Sequence, residues 1–427
     1  MKVAFYTLGC KVNQYETEAM KNLFKNNEFQ IVEENNEADV FIINSCTVTS
    51  ASDRKTRQMI RKFKKSNDSS IMILTGCYSQ NHADELKNNE NIDIIIGTKE
   101  KSKILEITND FIKNHTKHFK IKEFQRKEEY EEFDIIDWES RTRANIKIQD
   151  GCNQYCSYCI IPYVRGPSRS RDREEIIKEI INLSNKNYKE IIVNGINLTA
   201  LGKDDEKGSL VDLIKEIDKL NINSRIRFGS LEANIINEEM MRIIAGNSNF
   251  AKHFHLSLQS GSNSVLKRMN RNYTKEDFYK KVKLIRKYMP DCGITTDIIV
   301  GFPGETDEEF NESYEFVEKV AFSRIHVFKF SPREGTRAYR MKDRINGKIK
   351  NKRSKKMIDL GDRLEKDFCH KFLGEEVEVL FETKDEEGYY EGYTSNYIHF
   401  KLKSDINLEN KLEKHFVQNV FDKTLYG

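Results

Sequence analysis

Cysteine is the residue type whose spacing in this chain points most directly to chemistry. Six of the eight cysteines fall into two sets of three. Cys152, Cys156 and Cys159 stand in the run Gly151-Cys152-Asn153-Gln154-Tyr155-Cys156-Ser157-Tyr158-Cys159. A C-x3-C-x2-C loop is short enough to wrap three thiolates round one iron–sulfur cube, whose fourth iron then stays open to an outside ligand. A zinc knuckle, the alternative, wants a further Cys or His at short range, and none lies close downstream. Cys10, Cys46 and Cys77 are far apart, yet each ends an apolar, strand-like run: VAFYTLGC, VFIINSC and IMILTGC. A parallel α/β sheet brings the carboxyl ends of its strands to one edge, so these three thiols could converge on a second three-thiolate site. A single strand-end cysteine is more often a small buried hydrophobe, but three at equivalent strand ends make a pattern. Cys292 and Cys369 have no such placement and are expected to pack.

The elements that must position these thiols can be read from the alternation of apolar and charged segments. Up to about residue 114, strands are expected over 2–9, 39–45, 70–76 and 92–97, with amphipathic helices between them. Their unbroken apolar character suits a doubly wound sheet covered on both faces. Residues 115–142 are polar and non-periodic except near Phe133 and Trp138, and read as a linker. A second alternation places strands at 143–149, 190–197, 225–232, 253–259, 294–300 and 324–330. Between the first two, Arg173–Asn185 reads as a helix capped by Asp172, with Ile176, Ile177, Ile180, Ile181 and Leu183 forming its apolar stripe. Six βα units suggest an incomplete version of the eight-stranded barrel, in which reactive groups sit at the carboxyl ends of strands. Gly195, Asn197, Ser230, Glu232 and Gln259 fall at such ends, where they could line a cofactor pocket or simply pack the barrel rim. Tyr158 could lie against an adenine or serve as a packing aromatic. Residues 346–370 read as a basic helical connector. From 371 to 427, short β-rich pieces separated by turn residues suggest a small terminal barrel.

Length and charge bound the rest. With 427 residues the chain has room for two or three domains. The net charge of +3 says little by itself, but its distribution is uneven. Residues 333–356 hold eleven Lys or Arg against Glu334 and Asp343, and residues 54–65 hold seven without an acid. Such runs are usually solvated helix faces, but two of them in a chain ending in a small barrel favour phosphate contact. No apolar stretch approaches the roughly 18 residues of a membrane-spanning helix, and the start lacks a signal-peptide pattern, so a cytoplasmic protein with no membrane partner is expected. In that reducing compartment thiols serve as ligands, catalysts or core residues rather than disulfides. There is no G-x4-G-K-[ST] or H-E-x-x-H motif, which leaves nucleotide hydrolysis and zinc peptidase chemistry without support.

The barrel loop resembles the cluster motif of radical S-adenosylmethionine enzymes, and the likeness extends further. TLGCKVNQYETE, NSCTVT, LTGCYSQ, RANIKIQDGCNQYCSYCIIPYVRGPSRSR, HLSLQSGSNSVLKRMNR and TDIIVGFPGETDEEF together are similar to the methylthiotransferases over essentially the whole chain. The wording after Cys10, Lys11-Val12-Asn13, is most similar to the group acting on threonylcarbamoyladenosine just 3′ of the tRNA anticodon. The isopentenyladenosine group usually has Gln-Met-Asn there, and the ribosomal-protein group Pro-Lys-Asn. The resemblance implies an amino-terminal domain (1–114) whose Cys10, Cys46 and Cys77 hold an auxiliary [4Fe-4S] cluster. It further implies a radical-SAM partial barrel (143–345) whose Cys152, Cys156 and Cys159 hold a second cluster, and an OB-like TRAM module (371–427). S-adenosylmethionine, tRNA and an electron donor protein are the implied partners. One S-adenosylmethionine would methylate sulfur at the auxiliary cluster, and the other would yield a deoxyadenosyl radical that removes hydrogen from carbon 2 of the adenine. Tyr393 and Tyr397 of the terminal module could stack on unpaired bases. Two rivals stand beside this reading: a sister enzyme acting on isopentenyladenosine or a ribosomal-protein aspartate, and a non-catalytic iron–sulfur RNA-binding redox sensor.

Overall fold

Strands that are apolar at every position need cover on both faces, and the amino-terminal sheet has it. The computed structural model describes residues 1–34, 37–133, 138, 142–204 and 208–427. Strands β1 (Lys2–Thr7), β2 (Gln30–Val32), β3 (Val40–Ser45), β4 (Ile71–Gly76), β5 (Ile94–Ile96) and β6 (His118–Lys120) pair in the order β2-β1-β3-β4-β5-β6, all parallel. Val3, Phe5, Ile42 and Ile73 pack on one face with Met20 and Phe24 of helix α1 (Lys11–Lys25). Phe41, Ile43, Met72 and Leu74 pack on the other with Met59, Ile60 and Phe63 of helix α2 (Ser50–Ser66). The Phe41 and Phe63 rings stack with centroids 4.4 Å apart, a geometry that adds about 0.5–1.5 kcal/mol to plain burial. The strand order reverses between β1 and β3, and a doubly wound sheet binds its ligands outside the strand ends at such a switch point.

Two edge strands, β2 and β6, were not legible in the sequence. β6 lies inside the stretch read as linker. It is held by backbone bonds, His118 N–H to the Asp93 carbonyl (3.2 Å) and Gly97 N–H to the Lys120 carbonyl (3.0 Å), while Phe119 and Lys120 point to solvent. A short edge strand with exposed side chains writes no apolar run. Further along that stretch Phe133 and Trp138 are buried against Tyr15, and 134–137 and 139–141 lie outside the described residues.

The chain divides into two compact units, the first comprising 1–139, 149–171 and 331–339, the second 140–148, 172–330 and 340–427. The six expected barrel strands are β7 (Arg143–Asp150), β9 (Glu190–Gly195), β10 (Arg225–Phe228) with its continuation β11 (Ser230–Leu231), β12 (His253–Leu256), β13 (Gly293–Val300) and β14 (Arg324–Lys329). They form an open half-barrel. An unforeseen strand, β8 (Arg169–Ser170), pairs antiparallel with the end of β7 at Gln149 and Asp150. The single strand expected over 225–232 is broken at Gly229: β10 pairs with β9, and β11 pairs with β12. The glycine permits the break, since a Cβ there would sit 2.5 Å from Asn194 Oδ1.

The helix Arg173–Asn185 has its expected bounds, and the Asp172 side chain accepts the Glu174 and Glu175 N–H groups. Its apolar stripe is narrower than read. Ile176, Ile180 and Leu183 are buried, but Ile181 is exposed, because it lies about 100° round the helix from Ile180. A long basic helix, Gly347–His370, leads into β15 (Glu376–Lys384), β16 (Tyr389–Thr394), β17 (His399–Lys403), β18 (Leu412–Phe416), β19 (Asn419–Phe421) and β20 (Thr424–Tyr426). These pair in the order β18-β15-β16-β17-β20-β19, antiparallel except for β17 with β20. Their core contains Val379, Phe381 and Phe400 together with Phe368 and Cys369 of the basic helix. Cys369, like Cys292, is buried, as its lack of any strand-end placement led one to expect. Among the described residues no helix is long and apolar enough to cross a membrane.

Candidate functional site

Parallel register levels the strand ends of the first unit: Thr7 lies beside Asn44, and Ser45 beside Gly76. Cys46 and Cys77 follow these ends directly, and Cys10 follows after Leu8 and Gly9; Cys10 is the cap of α1 and Cys77 the first residue of the short helix α3 (Cys77–Asn81). Two glycines allow the close approach. Gly9 has φ +110°, and a Cβ on it would lie 3.1 Å from the Cys46 sulfur; Gly76 has φ +102°, and a Cβ on it would lie 2.5 Å from the Ser45 carbonyl. Asn13 ties two of the loops together, donating through Nδ2 to the Leu8 carbonyl (2.6 Å) and the Ser45 carbonyl (3.0 Å).

The three thiols feel one another. Burial pushes Cys77 up to about 11, with Cys46 and Cys10 adding to the rise and Arg165 opposing it. Cys46 is raised mainly by burial, with the Val48 N–H pulling the other way and the Cys10 charge adding to the rise. Thiols so placed keep their protons unless a cation takes them, which is the condition of a metal-binding cysteine. Among the described residues no three Cys, His, Asp or Glu side chains gather round a single ion. A four-iron cube makes a different demand, because each cysteine binds its own iron and the thiolates stay spread. Three mutually interacting thiols at a sheet switch point fit that demand.

The second triad lies on the loop after β7, in the same compact unit as the first. Cys156 is buried, while Cys152 and Cys159 are half-buried. The loop is fixed by its backbone: Cys152 N–H donates to the Gly166 carbonyl (3.0 Å) and Cys159 N–H to the Cys156 carbonyl (2.9 Å). Gly151, at φ +68°, lies so close to the Pro167 carbonyl that a Cβ would fall 1.9 Å from its oxygen. Just past Cys159, Ile160 and Val164 pack against Cys77. Thr98 donates to the Val164 carbonyl at 2.6 Å, pinning the same segment to the far side of the sheet edge.

Of the other residues singled out by sequence, Tyr158 is half-buried in the first unit. In the second unit, Gly195 ends β9, and buried Asn197 accepts the Thr199 hydroxyl at 2.6 Å. Ser230 opens β11 beside His255 and is exposed. Glu232 is ion-paired with Arg271 at 3.1 Å. Gln259 takes a left-handed φ of 71° and bridges to β13, its N–H bonded to the Asp297 carbonyl and its own carbonyl accepting the Ile299 N–H, both at 2.9 Å. Gly195 thus ends its strand, Asn197, Glu232 and Gln259 follow theirs, and Ser230 instead begins the short β11 after the break at Gly229.

Tyr393 and Tyr397 are half-buried and already engaged within the second unit. They stack on each other at 5.0 Å, with the Arg143 guanidinium 5.1 Å from one ring and 5.7 Å from the other. Arg143 at the start of β7 and Arg227 within β10 hold these rings by cation–π contacts. The basic runs are also partly structural. Arg333 is buried against Asp53 and Thr47, and Arg353 against Glu305 at 2.7 Å.

Sequence reasoning missed the charged group beside the amino-terminal triad: Arg165, Glu16, Asp150 and Lys101, all buried. Its one signal was the presence of charged residues inside otherwise apolar, motif-dense segments.

Comparison with known proteins bears on this arrangement. Residues 146–317 match the radical SAM superfamily, and residues 2–97 match an uncharacterised protein family, UPF0004. The threonylcarbamoyladenosine tRNA methylthiotransferase MtaB of Bacillus subtilis is 39% identical over 417 residues, covering 96% of this chain and 92% of its own. The chain belongs to the MtaB family of radical SAM methylthiotransferases. The MtaB protein of Aquifex aeolicus is 37% identical over 89% of this chain and 92% of its own. A tRNA-2-methylthio-N(6)-dimethylallyladenosine synthase of Petrotoga mobilis is 35% identical over 100% of this chain and 98% of its own. Among solved structures, the radical S-adenosylmethionine methyltransferase TsrM of Kitasatospora setae superposes with a TM-score of 0.57 at 12% identity, covering 77% of this chain and 72% of that one, a likeness of fold. Membership of the radical SAM superfamily brings with it a [4Fe-4S] cluster and S-adenosylmethionine.

Proposed function

We propose that this MtaB-family chain places a methylthio group on carbon 2 of N6-threonylcarbamoyladenosine beside the anticodon of tRNA, in the cytoplasm, with electrons from a donor protein. One observation carries the reading. Cys77 packs on Ile160 and Val164, directly after Cys159, so both cysteine triads belong to one compact unit of a chain 39% identical to an MtaB protein.

In this reading Cys152, Cys156 and Cys159 hold the radical SAM cluster, and Cys10, Cys46 and Cys77 hold a second [4Fe-4S] cluster. When bound, these groups and S-adenosylmethionine supply a carbon-centred radical and the sulfur to be transferred, which an unactivated ring carbon requires. The protein's share is placement and exclusion. Burial of Cys46, Cys77 and Cys156 keeps water from the sulfurs. The glycines at 9, 76 and 151 let the backbone come close enough for the thiols to be grouped. Tyr158, Gly195, Asn197, Ser230, Glu232 and Gln259 are assigned to S-adenosylmethionine, each from its own loop or strand end. The terminal sheet, residues 371–427, and the basic helix faces are assigned to RNA.

Nucleoside mass spectrometry of tRNA from cells lacking the gene tests the reading. Loss of 2-methylthio-threonylcarbamoyladenosine, with its unthiolated precursor accumulating, is the expected result. An unchanged nucleoside profile would overturn it.

A further inference from the structure

Arg165 ends the short helix Ile161–Arg165 and is completely buried. A buried guanidinium is costly unless its donors and its charge are met. Nη1 donates to Glu16 Oε1 (2.9 Å) and to Asp150 Oδ1 (3.0 Å); Nη2 donates to Asn13 Oδ1 (2.6 Å) and Glu16 Oε2 (3.2 Å). Nε is equally buried, yet has no acceptor among the described residues.

The neighbours add to this. Lys101, also fully buried, pairs with Glu16 and donates to Asn44 Oδ1 at 3.2 Å. Arg169 pairs with Asp150 at 3.2 Å. Arg165 and Lys101 share Glu16, and Arg165 and Arg169 share Asp150, so cations and carboxylates form one buried network. Asn13, gripped by Arg165, is the residue that bonds the carbonyls of Leu8 and Ser45, just ahead of Cys10 and Cys46. Any displacement of Arg165 is therefore transmitted to two of the three cysteine loops.

We propose that Arg165 is a positioning residue of the Cys10, Cys46 and Cys77 site, joining the loop after Cys159 to the loop after Cys10 and offering its Nε–H to the sulfur held there. This rests on the reading that the amino-terminal triad binds a cluster. Outer-shell donors and charges of this kind fix a ligand set and tune its potential. A cation near the cluster and an N–H···S bond both favour the reduced form, which carries more negative charge.

The test uses the full chain with Cys152→Ala, Cys156→Ala and Cys159→Ala, reconstituted anaerobically, so that iron at the amino-terminal triad is observed alone. Iron content and an EPR-monitored redox titration are recorded for this parent and for Arg165→Met and Arg165→Lys within it. Both variants should shift the midpoint to more negative potential and alter the EPR line shape, Met more than Lys because it also removes the charge. Should the Met variant fail to take up iron, the Lys variant, which keeps charge and bulk, decides. A Lys variant with full iron, an unmoved midpoint and an unchanged signal would overturn this proposal alone. A parent that binds no iron would overturn the cluster reading, and this proposal with it.

Discussion

The Arg227 guanidinium lies 4.6 Å from the centre of the Tyr397 ring, and this contact seats the terminal sheet on the half-barrel strands of its own unit. Arg225 reaches Glu378 at 3.4 Å, Arg143 reaches Glu382 at 2.5 Å, and Asn396 donates to the Asp291 carbonyl at 3.1 Å. Tyr397→Ala should therefore destabilise the protein by about 2 kcal/mol, the size of a desolvated cation–π contact. A urea titration would show a lowered midpoint; an unaltered midpoint would mean that the seat is held elsewhere. For the same reason, deleting residues 371–427 uncovers Arg143, Arg225 and Arg227, so truncation is not a clean way to remove RNA affinity.

Glu190 stands at the centre of that seat, fully buried with Arg143, Arg225 and Arg227 on it. Burial alone would raise its carboxyl, but the Arg227, Arg225 and Arg143 guanidiniums hold it well below the usual range. A carboxylate depressed in the folded state contributes its full stability above the unfolded pKa, near 4.3, and loses it as pH falls toward the folded value. Glu190→Gln should thus cost about 3–5 kcal/mol at neutral pH, since it strands buried arginines. The gap between the two Tm curves should begin to narrow as pH falls below about 4.3 and keep narrowing as pH moves toward the depressed folded value. Curves that stay parallel would contradict the placement of the charge.

RNA affinity should come from the exposed members of the basic runs. Arg54, Lys55, Arg61 and Lys62 of α2 face solvent, and their neutralisation should lower the log–log salt slope of tRNA binding by roughly 0.7–0.9 for each phosphate they no longer neutralise. Arg333 and Arg353, buried against Asp53 and Glu305, should instead change stability when replaced and leave that slope alone. A filter-binding series across salt concentration separates the two groups.

What could be read in the sequence was whatever has a short period or a fixed spacing. The apolar runs ending at Cys10, Cys46 and Cys77 marked three strands of the first sheet, and the helix after Asp172 was delimited by its cap. The break at Gly229 and the edge strand His118–Lys120 were hidden, because backbone pairing with a distant neighbour decides them and side-chain pattern does not. Tyr393 and Tyr397 looked like base-stacking rings for a similar reason. Their arginine partners, Arg143 and Arg227, are more than 160 residues away in sequence. Arg165 escaped notice because a buried ion network has no local signature.

The cysteine triads make separable predictions. Cys152→Ala, Cys156→Ala and Cys159→Ala together should abolish formation of 5′-deoxyadenosine from S-adenosylmethionine under reducing conditions. Cys10→Ala, Cys46→Ala and Cys77→Ala should spare that cleavage while eliminating methylthio product. Chromatographic assay of both products in each variant reads the difference, and full methylthio product from the second variant would reduce its three cysteines to packing.

The most direct measurement is made on the anaerobically reconstituted full chain with reductant, S-adenosylmethionine and two substrates in parallel, a tRNA carrying threonylcarbamoyladenosine and a tRNA carrying isopentenyladenosine. After digestion, mass spectrometry of the nucleosides should show a methylthio group added to threonylcarbamoyladenosine and none on the isopentenylated base. Modification of the isopentenylated base alone, or of neither, would contradict the assignment.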